Sequence, residues 1–184
     1  MINWVSNVFP GILGRVCDRP CEPACRRGRV EDNPVAICRL KRVAADNRED
    51  ILPLLPAVPE KKNGRRVALI GGGPASLTVA RDLSLLGYEL DLYDDQVKAG
   101  GFMRSQVPSF RLPEEVLNRE VNYILDMGIT THFNTYISSL KEIIDKKYDA
   151  VFIGCGAPRG RDLPDIPGRK EADAFIHIGI EWLA

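Results

Sequence analysis

The chain has 184 residues, with 25 lysines and arginines balancing 25 aspartates and glutamates, and 45% of its residues are apolar. That length suits one domain with a small appendage, and the ordinary apolar and charged fractions exclude a disordered or membrane class. Zero formal net charge leaves no electrostatic case for nucleic acid or an anionic membrane, and no apolar run approaches the about 18 residues of a spanning helix. The opening Met1-Ile2-Asn3-Trp4-Val5 lacks the charged region and long apolar stretch of a signal peptide, so a reducing, cytoplasmic setting is expected.

Residues 1–50 carry Cys17, Cys21, Cys25 and Cys38, spaced by three, three and twelve residues. In a reducing compartment closely spaced cysteines bind metal more often than they pair. Asn33 is a good N-cap, Pro34 fits a first helical position, and Cys38 is then expected about one turn inside a basic helix. The leading reading is iron–sulfur ligation, since such clusters take thiolates from one loop plus another from elsewhere. Arg26, Arg27, Arg29, Lys41 and Arg42 are placed to stabilise the anionic thiolates. Structural zinc normally shows a two-residue spacing that this set lacks, and disulfides are disfavoured in a reducing setting.

Residues 51–64 contain Pro53, Pro56 and Pro59 and end in polar residues, which predicts an extended linker over the surface. From residue 65 the pattern is α/β. Val67-Ala68-Leu69-Ile70 reads as a buried parallel strand, Pro74 to Leu86 as a helix closed by Gly87, and Leu90 to Tyr93 as a second strand. A loop through Gly100-Gly101 and Pro108 leads to a helix over Pro113 to Met127, with Pro113 at its first position. Ile129 to Phe133 and Ala150 to Gly154 are read as strands, the latter buried. Ile180 to Ala184 looks like a helix start, and Cys155 is read as a small core residue near a cofactor.

The turn Gly71-Gly72-Gly73-Pro74-Ala75-Ser76 nearly matches the dinucleotide fingerprint. Gly71 allows the tight turn, Gly73 lets amides approach a pyrophosphate, and Ser76 replaces the usual third glycine. Asp94 ends the second strand about 20 residues on, where an acid can accept ribose hydroxyls. These residues do not separate NAD from FAD. No side chain stands out as a nucleophile or general base, and His132 and His177 read as isolated. A cluster- or zinc-stapled adaptor and a plain NAD-dependent dehydrogenase are the competing classes.

Gly14-Arg15-Val16-Cys17, Cys21-Glu22, Cys25, Pro34-Val35-Ala36-Ile37 and Lys41-Arg42 resemble the iron–sulfur region of the glutamate synthase small-subunit family. That family includes the N-terminal part of dihydropyrimidine dehydrogenase. Gly71 to Leu77, Gly100-Gly101, Phe110-Arg111-Leu112-Pro113 and Tyr148 to Gly154 are similar to the FAD half of the same proteins. The resemblance implies a small, mostly helical 4Fe–4S region (1–50), the linker (51–64) and the first part of a Rossmann-like FAD-binding domain (65–184). It implies one cluster on Cys17, Cys21, Cys25 and Cys38, with Cys25 serving a second cluster as the alternative. It implies FAD on Gly71, Gly73, Pro74, Ala75, Ser76, Asp94, Gly101, Phe102, Arg111, Ile137 and Gly156. Ser76 also resembles the dihydropyrimidine dehydrogenase type. Relatives have further cysteines upstream, a Gln or Glu at the position of Lys41, and a later NAD(P)H fingerprint. The chain is therefore expected to be a fragment or split subunit that relays electrons with partner oxidoreductase subunits and does not oxidise NAD(P)H alone.

Overall fold

The computed structural model describes every residue except Glu49, Pro158 and Ala184. Helices α1 (Ile2–Ser6), α2 (Pro10–Val16) and α3 (Ile37–Asp46) precede β1 (Arg66–Ile70), α4 (Pro74–Leu85), β2 (Glu89–Tyr93), α5 (Phe102–Ser105), α6 (Glu114–Leu125) and β3 (Thr130–His132). Then come α7 (Leu140–Ile144), β4 (Ala150–Ile153) and α8 (Gly179–Leu183). The strands form one parallel sheet in the order β3-β2-β1-β4, with Ile70 beside both Tyr93 and Ile153. Parallel neighbours require crossovers, and α4 supplies the first, so the chain is α/β with a Rossmann-like sheet.

The apolar runs of β1 and β2 face a core of Val67, Leu69, Leu77, Leu92, Val116, Val121 and Ile124. Phe9 and Ile12 of the N-terminal segment enter that same cluster. The α2 segment that leads to Cys17 and the sheet therefore share one interior. The proline-rich stretch is anchored at its start, while residues 56–64 carry neither helix nor strand and are mostly exposed. Residues 52–54 make a turn of 3-10 helix, and Ile51 and Leu55 are buried with Trp4, which meets the Tyr123 ring edge-on at 5.7 Å. Burying two large aliphatic side chains draws the strap onto α6.

Several local expectations shift. The third helix begins at Ile37, with Ala36 as its N-cap, and not at Pro34, so Cys38 is its second residue. No side chain caps α3, but the Glu22 carboxylate accepts the Cys38 N–H at 3.0 Å and replaces the cap expected of Asn33. Pro113 has extended ψ and is the N-cap of α6, leaving Glu114 and Glu115 in the first turn, where acids suit the helix dipole. Strand β4 is a half-exposed edge and not a buried strand, with Ile153 56% exposed, because only one of its sides is paired. Cys155 is exposed, not a core residue.

His132 is not isolated. It bonds Asp91 at 2.8 Å and stacks on Tyr93 at 4.4 Å, while Arg66 reaches Asp91 at 3.0 Å. Burial alone would raise the Asp91 pKa, but the hydrogen bonds from His132 and Arg66 outweigh it and hold the carboxyl below the usual range. A depressed carboxyl contributes stability above its unfolded pKa of about 3.9 and loses it as pH falls through the folded value. Asp91→Asn is therefore expected to destabilise at pH 7 but to narrow the gap to the parent chain below about pH 4. Urea midpoints from pH 3 to pH 7 check it, and a gap constant across that range would refute it.

Candidate functional site

Helices α2 and α3 cross in backbone contact. A Cβ on Gly14 would lie 2.7 Å from the Arg42 Cβ and 2.8 Å from its Cα, so only glycine permits the approach. The crossing brings Cys17, the C-cap of α2, near Cys38. The Cys38 thiol is buried and points at the Leu13 and Gly14 carbonyl oxygens, 3.5 and 3.6 Å away. Burial, and then the neighbouring Cys17, push its pKa up. Cys25 differs: backbone amides of Val35 and Arg27 hold its thiol below the ordinary value. Cys21 is exposed. Two of the arginines read as cluster partners are engaged elsewhere, Arg27 with Glu31 and Arg42 with Asp46.

Among the described residues no three His, Cys, Asp or Glu side chains converge as a ready metal site. The structure thus brings Cys17 and Cys38 together but leaves Cys21 and Cys25 on the connecting loop. The donor chemistry nonetheless fits an iron–sulfur group. Four thiols lie on one loop and two touching helices, and amides directed at Cys25 favour the thiolate that such a group needs.

The glycine turn closes the C-terminal end of β1. Gly71 has φ +93°, and a Cβ there would lie 2.6 Å from the Gly154 carbonyl oxygen, so this glycine serves the fold. Gly73 is different. It is the N-cap of α4 with φ −77°, and its Cβ would meet nothing nearer than the Gly154 oxygen at 3.9 Å. Neither backbone strain nor protein packing explains a glycine at that position. The open space above it lies at the start of a twelve-residue helix. The first-turn amides of Ala75 and Ser76, which follow Pro74, have no intrahelical acceptor there. This is the cradle that a pyrophosphate needs.

Ser76 is fully buried, and its hydroxyl has no partner among the described residues. It packs against Gly154, whose missing side chain makes room for the oxygen that a third glycine would not have. Asp94, 8% exposed, accepts the Gly72 N–H and, at 2.7 Å, the Gln96 N–H. It therefore holds the turn from the residue that follows β2. Gly101 packs on Gly73, where a Cβ would approach the Gly73 Cα to 2.8 Å, and the Gly100 N–H donates to the Gly72 oxygen at 2.8 Å. The loop following Ala99 thus lies against the turn. Phe102, at the start of α5, and Arg111 are both exposed. Ile137 is half-buried beside Ile143, and Gly156 is exposed with φ +68°.

One charged residue that the sequence did not single out is Glu120. It is fully buried on α6 and binds the Gly11 N–H at 2.7 Å and the Ile12 N–H at 3.1 Å. Its spacing matches the apolar face of α6, with Val116, Leu117, Val121 and Ile124, and an acid within that stripe was the available signal.

Residues 2–51 match the family described as dihydropyrimidine dehydrogenase domain II, 4Fe-4S cluster. Residues 69–140 match the NAD(P)-binding Rossmann-like domain. The chain is 34% identical over 183 residues to the glutamate synthase (NADH) of Schizosaccharomyces pombe, covering 97% of this chain and 8% of that protein. The chain is homologous over nearly its whole length to glutamate synthase, PreT-type and NADPH-Fe(3+) oxidoreductase beta subunits. It is 35% identical over 180 residues to the NADPH-Fe(3+) oxidoreductase subunit beta of Geobacter sulfurreducens, covering 95% of this chain and 26% of that one. Against the NAD-dependent dihydropyrimidine dehydrogenase subunit PreT homolog of Salmonella typhi it is 36% identical over 183 residues, with coverages of 97% and 43%. The chain thus spans less than half the length of each of these relatives. In this chain the match to the 4Fe–4S domain is followed by the match to the Rossmann-like nucleotide-binding domain.

Proposed function

We propose that the chain is the electron-transfer module of a flavin-dependent NAD(P)H oxidoreductase, relaying electrons between FAD and a 4Fe–4S cluster. Cys17, Cys21, Cys25 and Cys38 are assigned to the cluster. Gly71, Gly73, Pro74, Ala75, Ser76, Asp94, Gly101, Phe102, Arg111, Ile137 and Gly156 are assigned to FAD. The observation that carries the reading is Gly73, a glycine with an ordinary φ and open space where its side chain would be, at the mouth of α4. The helix it caps, α4, packs Leu77 and Ala80 into the same core as Phe9 and Ile12 of the N-terminal segment. When bound, the two groups supply the redox chemistry, and the chain supplies position and surroundings. NAD(P)H is assigned to a further domain, and the electron partners to other oxidoreductase subunits, in keeping with relatives named as subunits of larger enzymes. Among the described residues no helix is long and apolar enough to cross a membrane. Five free cysteines accord with a reducing cytoplasm.

The test is the anaerobic optical spectrum of the purified chain, with iron, sulfide and flavin assayed on the same sample. Broad cluster absorption with about four iron and four sulfide per chain is expected. Zinc without iron would replace the redox reading with an adaptor role.

A further inference from the structure

Helix α2 has no side-chain cap of its own. Its N-cap is Phe9, and Pro10, Gly11 and Ile12 are buried, so the amides of its first turn are removed from water. Buried amides without acceptors are costly. The acceptor comes instead from α6, 108 and 109 residues away: one oxygen of Glu120 takes the Gly11 N–H and the other the Ile12 N–H. Two bonds to adjacent amides fix both the position of α2 and its rotation about its own axis. The fit is close, since a Cβ on Gly11 would lie 2.7 Å from the Glu120 Oε1. The preceding residue on α6, Arg119, lies 3.9 Å from Asp46 of α3, beyond hydrogen-bond reach, while Arg15 of α2 holds Asp46 at 2.9 Å. Glu120 therefore grips α2, and the Arg15–Asp46 pair ties α2 to α3.

Helix α6 is also tied to the dinucleotide loop. Arg104 of α5 donates to the Ala99 carbonyl oxygen at 2.9 Å and to the Asn118 side chain at 2.8 Å. This runs from the loop packed on Gly73, through α6, to the helix that ends at Cys17.

We infer that Glu120 is the positioning residue that fixes the cysteine helices on the dinucleotide-binding half and so sets the spacing between the two redox groups. The inference rests on the electron-relay reading above. Burial pushes the Glu120 carboxyl pKa up against the pull of the two amides, so its charge is kept here at a cost.

Exposed Cys155, beside the glycine turn, provides the reporter position. The full chain is loaded anaerobically with iron and sulfide, which shields the ligand thiols. A nitroxide is attached to Cys155, and the dipolar distance to the reduced cluster is measured by pulsed electron paramagnetic resonance. The parent chain is expected to give one narrow distance. Glu120→Ala is expected to give a broad one with iron and sulfide contents unchanged, and Glu120→Gln, which keeps one acceptor, an intermediate width. A parent-like distribution in Glu120→Ala overturns the inference, and Glu120→Gln decides in its place if the alanine variant does not fold. If the parent chain takes up no iron, the electron-relay reading fails separately. The clamp is then judged by amide exchange in the metal-free chain. Exchange at Gly11 and Ile12 about tenfold faster in the variants supports it, and unchanged exchange overturns it.

Discussion

Cys17→Ser is expected to purify without a stable cluster, with its iron and sulfide falling from about four per chain to a small fraction of that. Serine's hydroxyl is a poor substitute for a thiolate, the form that binds iron. Cys17 has no spare replacement either, because the neighbouring Cys38 is itself assigned as a ligand. Cys155→Ser is the matched control, since that thiol lies beyond β4, and it should keep the full content. Cys25→Ser is the discriminating member of the series. Its thiol is lined by backbone amides, and an unchanged iron and sulfide content would remove it from the ligand set. Retention of the full content in Cys17→Ser would overturn the assignment at its centre.

The second large effect separates two neighbouring glycines. Gly71→Ala forces a side chain into the positive-φ region and against the Gly154 carbonyl, a backbone atom that cannot yield. It should destabilise the chain by about 3 kcal/mol or more. Gly73→Ala places its methyl group in open space at an ordinary φ, so its stability should change by no more than about 1 kcal/mol, the scale of an N-cap substitution. That methyl group would occupy the place of the bound pyrophosphate, so flavin affinity should fall at least about tenfold, or 1.4 kcal/mol. Urea unfolding and flavin titration on the two variants read both quantities. A Gly73→Ala chain that binds flavin like the parent would empty the cradle of its assigned function.

The two variants also show why a motif is easier to recognise than to interpret. The spacing of Gly71, Gly73 and Ser76 between a strand and a helix is visible in the sequence, because it reflects local backbone geometry. The division of labour between the glycines is not. It depends on how closely the Gly154–Cys155 end of β4 approaches, some eighty residues later in the chain. Ser76 is the same case: its tolerance follows from Gly154, which packs on it only once β1 and β4 pair.

The N-terminal segment shows the limits of local signals. Asn33-Pro34 is a sound helix start by propensity, yet α3 begins at Ile37 with the distant Glu22 accepting the Cys38 amide. A cap supplied from elsewhere in the chain removes the need for a local one. The proline-rich stretch carries the composition of a linker, yet Ile51 and Leu55 find an apolar site between Trp4 and α6. Burial of those side chains outweighs the tendency of prolines to stay extended in solvent.

Periodicity and spacing in the chain are enough to establish a parallel α/β sheet, a dinucleotide turn and a set of metal-type cysteines, because each is encoded by residues within one turn or one loop of each other. Tertiary structure alone reveals that Gly14 lets two cysteine helices touch, that β4 is an open edge, and that Glu120 caps α2 from the far side of the core. Those features join residues from 28 to 109 positions apart. Their energetics depend on burial and close approach, which no local pattern records.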